Sequence, residues 1–355
     1  MAYLSVLLIS LGITYLLTPA VRELAHRLEA VDEPSRRRIN IRRVPNLGGL
    51  AVYFGFTLAL LQSQGVGRDV RGLLVGGSLI LLLGTADDLR PIPPMGKFLG
   101  QLLAAAALIP FGISIDFITN PLTGGMIHLG LLSIPFTLLW VVSIVNAINL
   151  IDGLDGLAAG ISAIAAVTLF AVSLQEGQAA SALMMLALGG STLAFLRYNF
   201  HPAQIFLGDG GSMLLGYLLA AISILGALKS AAAVTVLVPL LVLGIPIFDT
   251  VYAIVRRFYN SRPISQADHG HLHHRLLALG WTQRQVAFIV YLISVFLGVL
   301  AVLVNSLKFH RGLLVILIAA SFLIYGFWRL GVFSVEIPRD GRKLSREGRQ
   351  QEMNK

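Results

Sequence analysis

The sequence predicts an all-α protein that crosses a membrane about eleven times, and three observations carry that prediction. Of the 355 residues, 56% are hydrophobic and only 13% are charged, with a mean hydropathy of +0.79. A soluble globular protein carries about a quarter charged residues, so a deficit of this size along a whole chain means that lipid solvates most of it. The apolar runs also have bilayer length, roughly 15–24 residues each. Finally, the basic residues between the runs are distributed unevenly.

The runs lie near residues 3–21, 46–63, 72–86, 97–112, 131–150, 154–174, 179–196, 211–228, 232–255, 286–304 and 313–331. The first charged side chain is Arg22, so the basic n-region of a cleaved secretory signal is missing. Residues 4–21 are therefore expected to stay as a transmembrane helix. With the N-terminus outside, the segments 22–44, 87–97, 197–204, 256–284 and 329–355 face the cytoplasm and hold 22 of the 27 Lys and Arg residues. Arg68, Arg71, Lys229, Lys308 and Arg311 fall on the other side. That asymmetry obeys the positive-inside rule and puts the C-terminus in the cytoplasm. The net charge of +9 is thus first a topology signal, with anionic lipids and substrates second and no nucleic-acid partner expected.

No polar segment is long enough to build a core of its own. Residues 1–335 are expected to form one integral-membrane domain, followed by a basic cytoplasmic tail over 336–355. Residues 113–130 alternate apolar and polar side chains around Asn120-Pro121 and Gly124-Gly125, which predicts a small outer hairpin. The absence of cysteine excludes disulfides, thiolate metal sites and a thiol nucleophile.

Ionisable groups are unfavourable inside a bilayer, so acids at span ends mark where to look for chemistry. Asp87-Asp88 closes the third run. Adjacent carboxylates repel, and a divalent cation or a cationic partner relieves the repulsion; oxygen ligands of this kind suit Mg²⁺. A solvated acidic cap is the alternative. In the stretch from Asn146 to Gly160, Asn146, Asn149 and Asp152 recur every three residues, which puts them on one helix face. Gly153 and Gly156 then break the helix, and Asp155 lies between them. Polar glue between helices explains the glycines but not two acids and two amides so close together.

Phe206-Leu-Gly208-Asp209-Gly210-Gly211-Ser212 opens a further helix. Free N–H groups at such a start suit phosphate, and Asp209 is placed to hold a metal that the phosphate shares; an ordinary turn with an N-cap also accounts for the pattern. Asp249 falls within the ninth run and needs a partner there, such as an arginine, a hydroxyl or a metal. His269-Gly-His271-Leu-His273-His274-Arg275 holds half of the eight histidines. No second compact ligand group accompanies it as a zinc site requires, so a grip on a diphosphate is the better reading. Acids for Mg²⁺, donors for phosphates and a lipid setting together point to phosphoryl transfer on a membrane-borne acceptor.

Asp87-Asp88, Asn149-Leu-Ile-Asp152-Gly-Leu-Asp155-Gly, Gly208-Asp209 and His271-Leu-His273-His274-Arg275 resemble the polyprenyl-phosphate N-acetylhexosamine-1-phosphate transferases. The turn Pro45-Asn46-Leu-Gly48-Gly49 and Lys97 also fall where that family has counterparts, and the likeness runs from about residue 40 to 285. Within the family, Leu272 interrupting the histidines looks like the branch that uses UDP-GlcNAc and undecaprenyl phosphate. The branch using UDP-MurNAc-pentapeptide typically carries three consecutive histidines.

The resemblance implies a Mg²⁺ ion, with Mn²⁺ able to substitute, on Asp209 and Asn149. It implies that Asp155 contacts uracil with Phe206 stacked nearby and Asp152 supporting that wall. Asp87 and Asp88 would position or deprotonate the lipid phosphate, and Lys97 would neutralise it. His271, His273, His274 and Arg275 would hold the diphosphate or the sugar. Asn46, Gly48 and Asp249 form a second tier. A bacterial inner membrane, an active site on its cytoplasmic face and a homodimer are implied as well, with the product opening cell-envelope polysaccharide synthesis. The competing readings are a phospho-MurNAc-pentapeptide translocase and, more distantly, a secondary transporter. Transporter sites lie near the midplane on broken helices, whereas these acids lie mostly at span ends.

Overall fold

The computed structural model describes residues 1–33, 43–120, 125–228, 237–259, 270–307 and 309–333. α1 (Ala2–Arg27) leads into a short antiparallel pair, β1 (Val31–Asp32) and β2 (Val44–Pro45), that closes the basic loop at its base. Then follow α2 (Gly49–Gln64), α3 (Arg68–Leu89) and α4 (Pro94–Ala106). The expected hairpin is present, with β3 (Phe117–Thr119) antiparallel to β4 (Met126–His128). After it come α5 (Ser133–Ile151), α6 (Leu157–Gln175), α7 (Ala179–Asn199) and α8 (Gly208–Leu228). The chain ends in α9 (Leu237–Val242), α10 (Gly244–Tyr259), α11 (Leu272–Ala278), α12 (Gln283–Asn305) and α13 (Phe309–Arg329). The tail 336–355, Lys229, Lys308, Asp268 and His269 lie outside the described residues.

The chain is an all-α polytopic membrane protein, and nine helical stretches among the described residues are long and apolar enough to cross a bilayer. Among the described residues each of the eleven expected runs meets helix, but three differ from a full continuous span, one of them the run 97–112, where α4 stops at Ala106 and a 3₁₀ turn over Ile109–Phe111 follows. α2 has only 16 residues, and the run 232–255 is divided between α9 and α10. The division has a local cause. Pro246 has no N–H to offer the carbonyl four residues back, and Gly244 stands at the junction.

α8 is the centre of the bundle. It packs on α3 and α5, and also on α2, α6 and α7. In its most apolar stretch 89% of the residues are buried, against 17% for α13 at the periphery. A helix surrounded on all sides must be apolar all round and must let its neighbours come close. Small residues supply the second condition: a Cβ on Gly84 of α3 would run into the backbone of Gly210, and one on Gly49 of α2 into that of Gly211. The start of α8 is thereby pressed against the end of α3 and the start of α2.

Because the helices alternate in direction, the links 90–93, 152–156 and 200–207 all lie at the same end as the start of α2. Every acid singled out between Asp87 and Asp209 is on or beside one of these links. The link 152–156 is longer than expected, since α6 begins at Leu157 rather than near 154. Gly156 adopts a φ of 75°, a left-handed conformation that leaves the turn open in front of the helix.

Candidate active site

The two neighbouring acids at the end of α3 have different partners. Asp88 turns under the start of α8, where its carboxylate accepts the N–H groups of Asp209 at 2.8 Å and Gly210 at 3.1 Å. Asn46 adds its amide to the same carboxylate at 3.4 Å. An acid from one helix thus caps another, neutralising two orphan donors and the positive end of the helix dipole. This corrects the expectation that these N–H groups await a phosphate, because Asp88 already occupies them.

Asp87 turns the other way. One of its oxygens accepts the Ile92 N–H at 2.6 Å and the other accepts from Lys97 Nζ at 2.8 Å. The same ammonium reaches Asp209 at 2.7 Å. The carboxyl groups of Asp87 and Asp209 also lie within hydrogen-bonding reach of each other. Asp209 is completed by α5, whose Asn149 donates from Nδ2 to Asp209 Oδ1 at 2.8 Å and to Ser212 Oγ at 2.9 Å. Asn149 therefore meets Asp209 through its NH₂ group, so any ligand role rests on its other end, Oδ1. Its helix-face neighbour Asn146 is drawn away from the site and pairs with Gln101 of α4 at 2.7 Å, as polar glue between the two helices.

Beyond α5 the link 152–156 brings two more acids. Asp152 is half-buried, and burial together with the carboxylates of Asp209 and Asp155 pushes its carboxyl up to about 8. Near neutral pH it therefore holds its proton unless positive charge arrives beside it. Asp155 is tied to the link 200–207: its Oδ2 hydrogen-bonds the His201 ring at 2.7 Å and accepts the Ala203 N–H at 3.0 Å. His201 is a site residue that the sequence reading missed. The same link carries Phe206, half-exposed, and the predicted turn 45–49 holds it in place. Phe206 N–H donates to Pro45 O at 2.8 Å and Gly48 N–H to Phe206 O at 2.9 Å. Gly48 has no room for a side chain, because a Cβ there would meet the Phe195 ring and the Phe206 carbonyl.

The histidine motif arrives from the far side, on α11. Asp249 of α10 is 2% exposed and uses both carboxylate oxygens to hold the start of this helix, on His271 Nδ1 at 2.8 Å and the Leu272 N–H at 2.7 Å. In place of the arginine, hydroxyl or metal expected for this acid, the structure supplies a histidine and a backbone donor. The rings of His271 and His273 are nearly parallel, and His273 packs on Gly153, which joins the motif to the link 152–156. His274 is the most accessible of the three.

Arg275 departs from the expectation that it holds substrate. It is 7% exposed and donates to Gly270 O at 2.9 Å, Val332 O at 2.9 Å and Phe333 O at 3.1 Å, with its guanidinium over the Tyr252 ring. It clamps the chain beyond α13 instead. Arg275→Met should accordingly lower the melting temperature in detergent, since each hydrogen bond to a charged group contributes about 1.5–3 kcal/mol. An unchanged melt with a weaker donor KM would return Arg275 to the substrate.

The arrangement gathers the Lys97 ammonium, five carboxyl groups (Asp87, Asp88, Asp152, Asp155 and Asp209), the Asn149 amide and the imidazoles of His201, His271, His273 and His274 at one end of the bundle. Among the described residues no group of three or more His, Asp or Glu forms a preformed metal cage. The carboxylates of Asp87 and Asp209 beside the Asn149 amide are a donor set that would suit Mg²⁺, which is usually held by one or two carboxylates plus substrate phosphates and water.

Comparison with known proteins agrees with the geometry. The family described as glycosyl transferase family 4 matches residues 70–227, which hold Asp87 through Asp209. The chain is 40% identical over 318 residues to a probable undecaprenyl-phosphate N-acetylglucosaminyl 1-phosphate transferase of Bacillus subtilis, covering 89% of this chain and 88% of the relative. It is 39% identical over 310 residues to a decaprenyl-phosphate N-acetylglucosaminephosphotransferase of Mycobacterium leprae, covering 79% and 78%. A phospho-N-acetylmuramoyl-pentapeptide-transferase of Desulforudis audaxviator is 30% identical over 340 residues, covering 82% and 96%.

Proposed function

The chain belongs to glycosyl transferase family 4, among the polyprenyl-phosphate N-acetylglucosamine-1-phosphate transferases, and on that premise we propose that it moves GlcNAc-1-phosphate from UDP-GlcNAc to undecaprenyl phosphate. The observation that carries the proposal is the meeting of Asp87, Asp209, Lys97 and Asn149 at the junction of α3, α4, α5 and α8. The higher identity to the GlcNAc relatives, 40% against 30% for the pentapeptide transferase, favours this donor. So does Leu272 within the histidine run. We place the site on the cytoplasmic face of a bacterial inner membrane, in one domain over residues 1–335 with eleven spans and the N-terminus outside, following the basic residues.

In this mechanism an oxygen of the lipid phosphate attacks the sugar-bearing phosphorus of the donor. The bond from that phosphorus to the bridging oxygen breaks, and UMP leaves with the bridging oxygen. The lipid phosphate is already largely ionised at neutral pH, so little is asked of a general base. Asp209, with Asp87 beside it and Asn149 able to turn Oδ1 inward, would hold Mg²⁺, which when bound neutralises charge on the donor diphosphate. Lys97 offsets charge on the acceptor phosphate. Asp155, kept in place by His201 and Ala203, faces the uracil with Phe206 and Asp152 on the same wall. His273 and His274 grip the diphosphate or sugar, and Asp88 fixes the start of α8 so that Asp209 stays aimed at it.

The test is UMP release by the purified protein in detergent with Mg²⁺ and undecaprenyl phosphate, with UDP-GlcNAc, UDP-GalNAc and UDP-MurNAc-pentapeptide offered separately. Release with UDP-GlcNAc, abolished by EDTA or by omitting the lipid, is the expected outcome. Release with the pentapeptide donor alone would keep the chemistry and overturn the donor.

A further inference from the structure

The Lys97 ammonium bridges the two carboxyl groups that the proposed function assigns to the cation. Its Nζ is 2.8 Å from Asp87 Oδ2 and 2.7 Å from Asp209 Oδ2. Two carboxyl groups in contact stay ionised together only with positive charge between them. One cation satisfies that need, and a second cation entering beside the first meets repulsion at close range in a poorly solvated place. The Lys97 side chain is only 21% exposed, so water screens this repulsion weakly. Lysine suits the role because its charge is compact and its stem has freely turning single bonds. It enters from α4, near the helix start at Pro94, whereas Asp87 and Asp209 are fixed by α3 and α8.

We infer that Lys97 is an exchangeable counter-ion of the divalent-cation site: it bridges Asp87 and Asp209 when no metal is present and must leave this position when the metal enters. This rests on the proposed metal role of Asp209 and adds two consequences. Metal affinity in the absence of substrate is held down by competition with a built-in ammonium, and metal entry frees that ammonium to meet an anionic acceptor. The site is thereby charged for the acceptor only after the metal is in place.

Mn²⁺ binding, read by the loss of the free-ion electron paramagnetic resonance signal in substrate-free detergent-solubilised protein, tests the inference without reference to turnover. Lys97→Met should bind Mn²⁺ about tenfold more tightly than the wild type or better, within the usual range for coupling between ligands. Lys97→Arg, which keeps the charge, should stay within a few-fold of the wild type. If Lys97→Met is too unstable to titrate, Lys97→Gln serves, with the Mn²⁺-induced rise in melting temperature as readout and a larger rise than in the wild type expected. Equal affinity in wild type and Lys97→Met, with binding lost in Asp209→Asn, would keep the metal site and overturn the exchange. Binding that survives Asp209→Asn, or is missing from every form, would overturn the metal assignment and the exchange together.

Discussion

Asp209→Asn is expected to lower UMP release about a hundredfold or more while the protein stays folded, the loss typical of a preorganised group facing developing charge. Asparagine keeps the shape of the side chain and can still accept one hydrogen bond from Asn149 or Lys97. What it removes is the negative charge at the start of α8, 2.7 Å from Lys97 Nζ. Positioning and charge neutralisation do most of the work in phosphoryl transfer, so the deficit should appear in kcat with saturating donor. The fold should tolerate the change, because Asp88 still holds the N–H groups of residues 209 and 210. UMP release and a thermal melt on the same detergent preparation check both halves. Turnover within about threefold of wild type, in protein that melts normally, would remove Asp209 from the reacting centre.

The contrast between Asp88 and Asp209 also shows what the sequence could and could not say. Apolar runs of bilayer length are a direct record of lipid solvation, so most helices were legible one by one, and the hairpin over 117–128 with them. Acids at span ends were legible for the same reason, since each is unfavourable there without a purpose. Partners were not legible. Asp88 and the start of α8 are about 120 residues apart in sequence, and only close packing at Gly84 and Gly210 brings the carboxylate under that helix. A Gly-rich helix start reads as a phosphate cradle until the capping acid is seen. Arg275 reads as a substrate ligand beside three histidines, and its burial depends on carbonyls beyond α13. His201 carried no spacing signal at all. It matters because the link 200–207 folds over the link 152–156 and meets Asp155.

Asp249 is the second place where a large effect is expected, and it separates stability from chemistry in a different way. Its carboxylate is buried inside α10 and hydrogen-bonds both the His271 ring and the Leu272 N–H. Asp249→Ala strands two buried polar groups, each left unsatisfied at about 1–3 kcal/mol, and releases the start of α11. The melting temperature should fall, and the KM for UDP-GlcNAc should rise as His273 loses its fixed position against Gly153 and His274, packed on the His273 ring, moves with it. Asp249→Asn can still accept one of the two hydrogen bonds and should fall between wild type and alanine on both measures. Because Asp249 touches neither Asp87, Lys97 nor Asp209 in the bonds described, Mn²⁺ binding should be unchanged in Asp249→Asn. A variant that melts lower but keeps its donor KM would make Asp249 a strut only. A raised KM with an unchanged melt would mean that the carboxylate meets the donor itself.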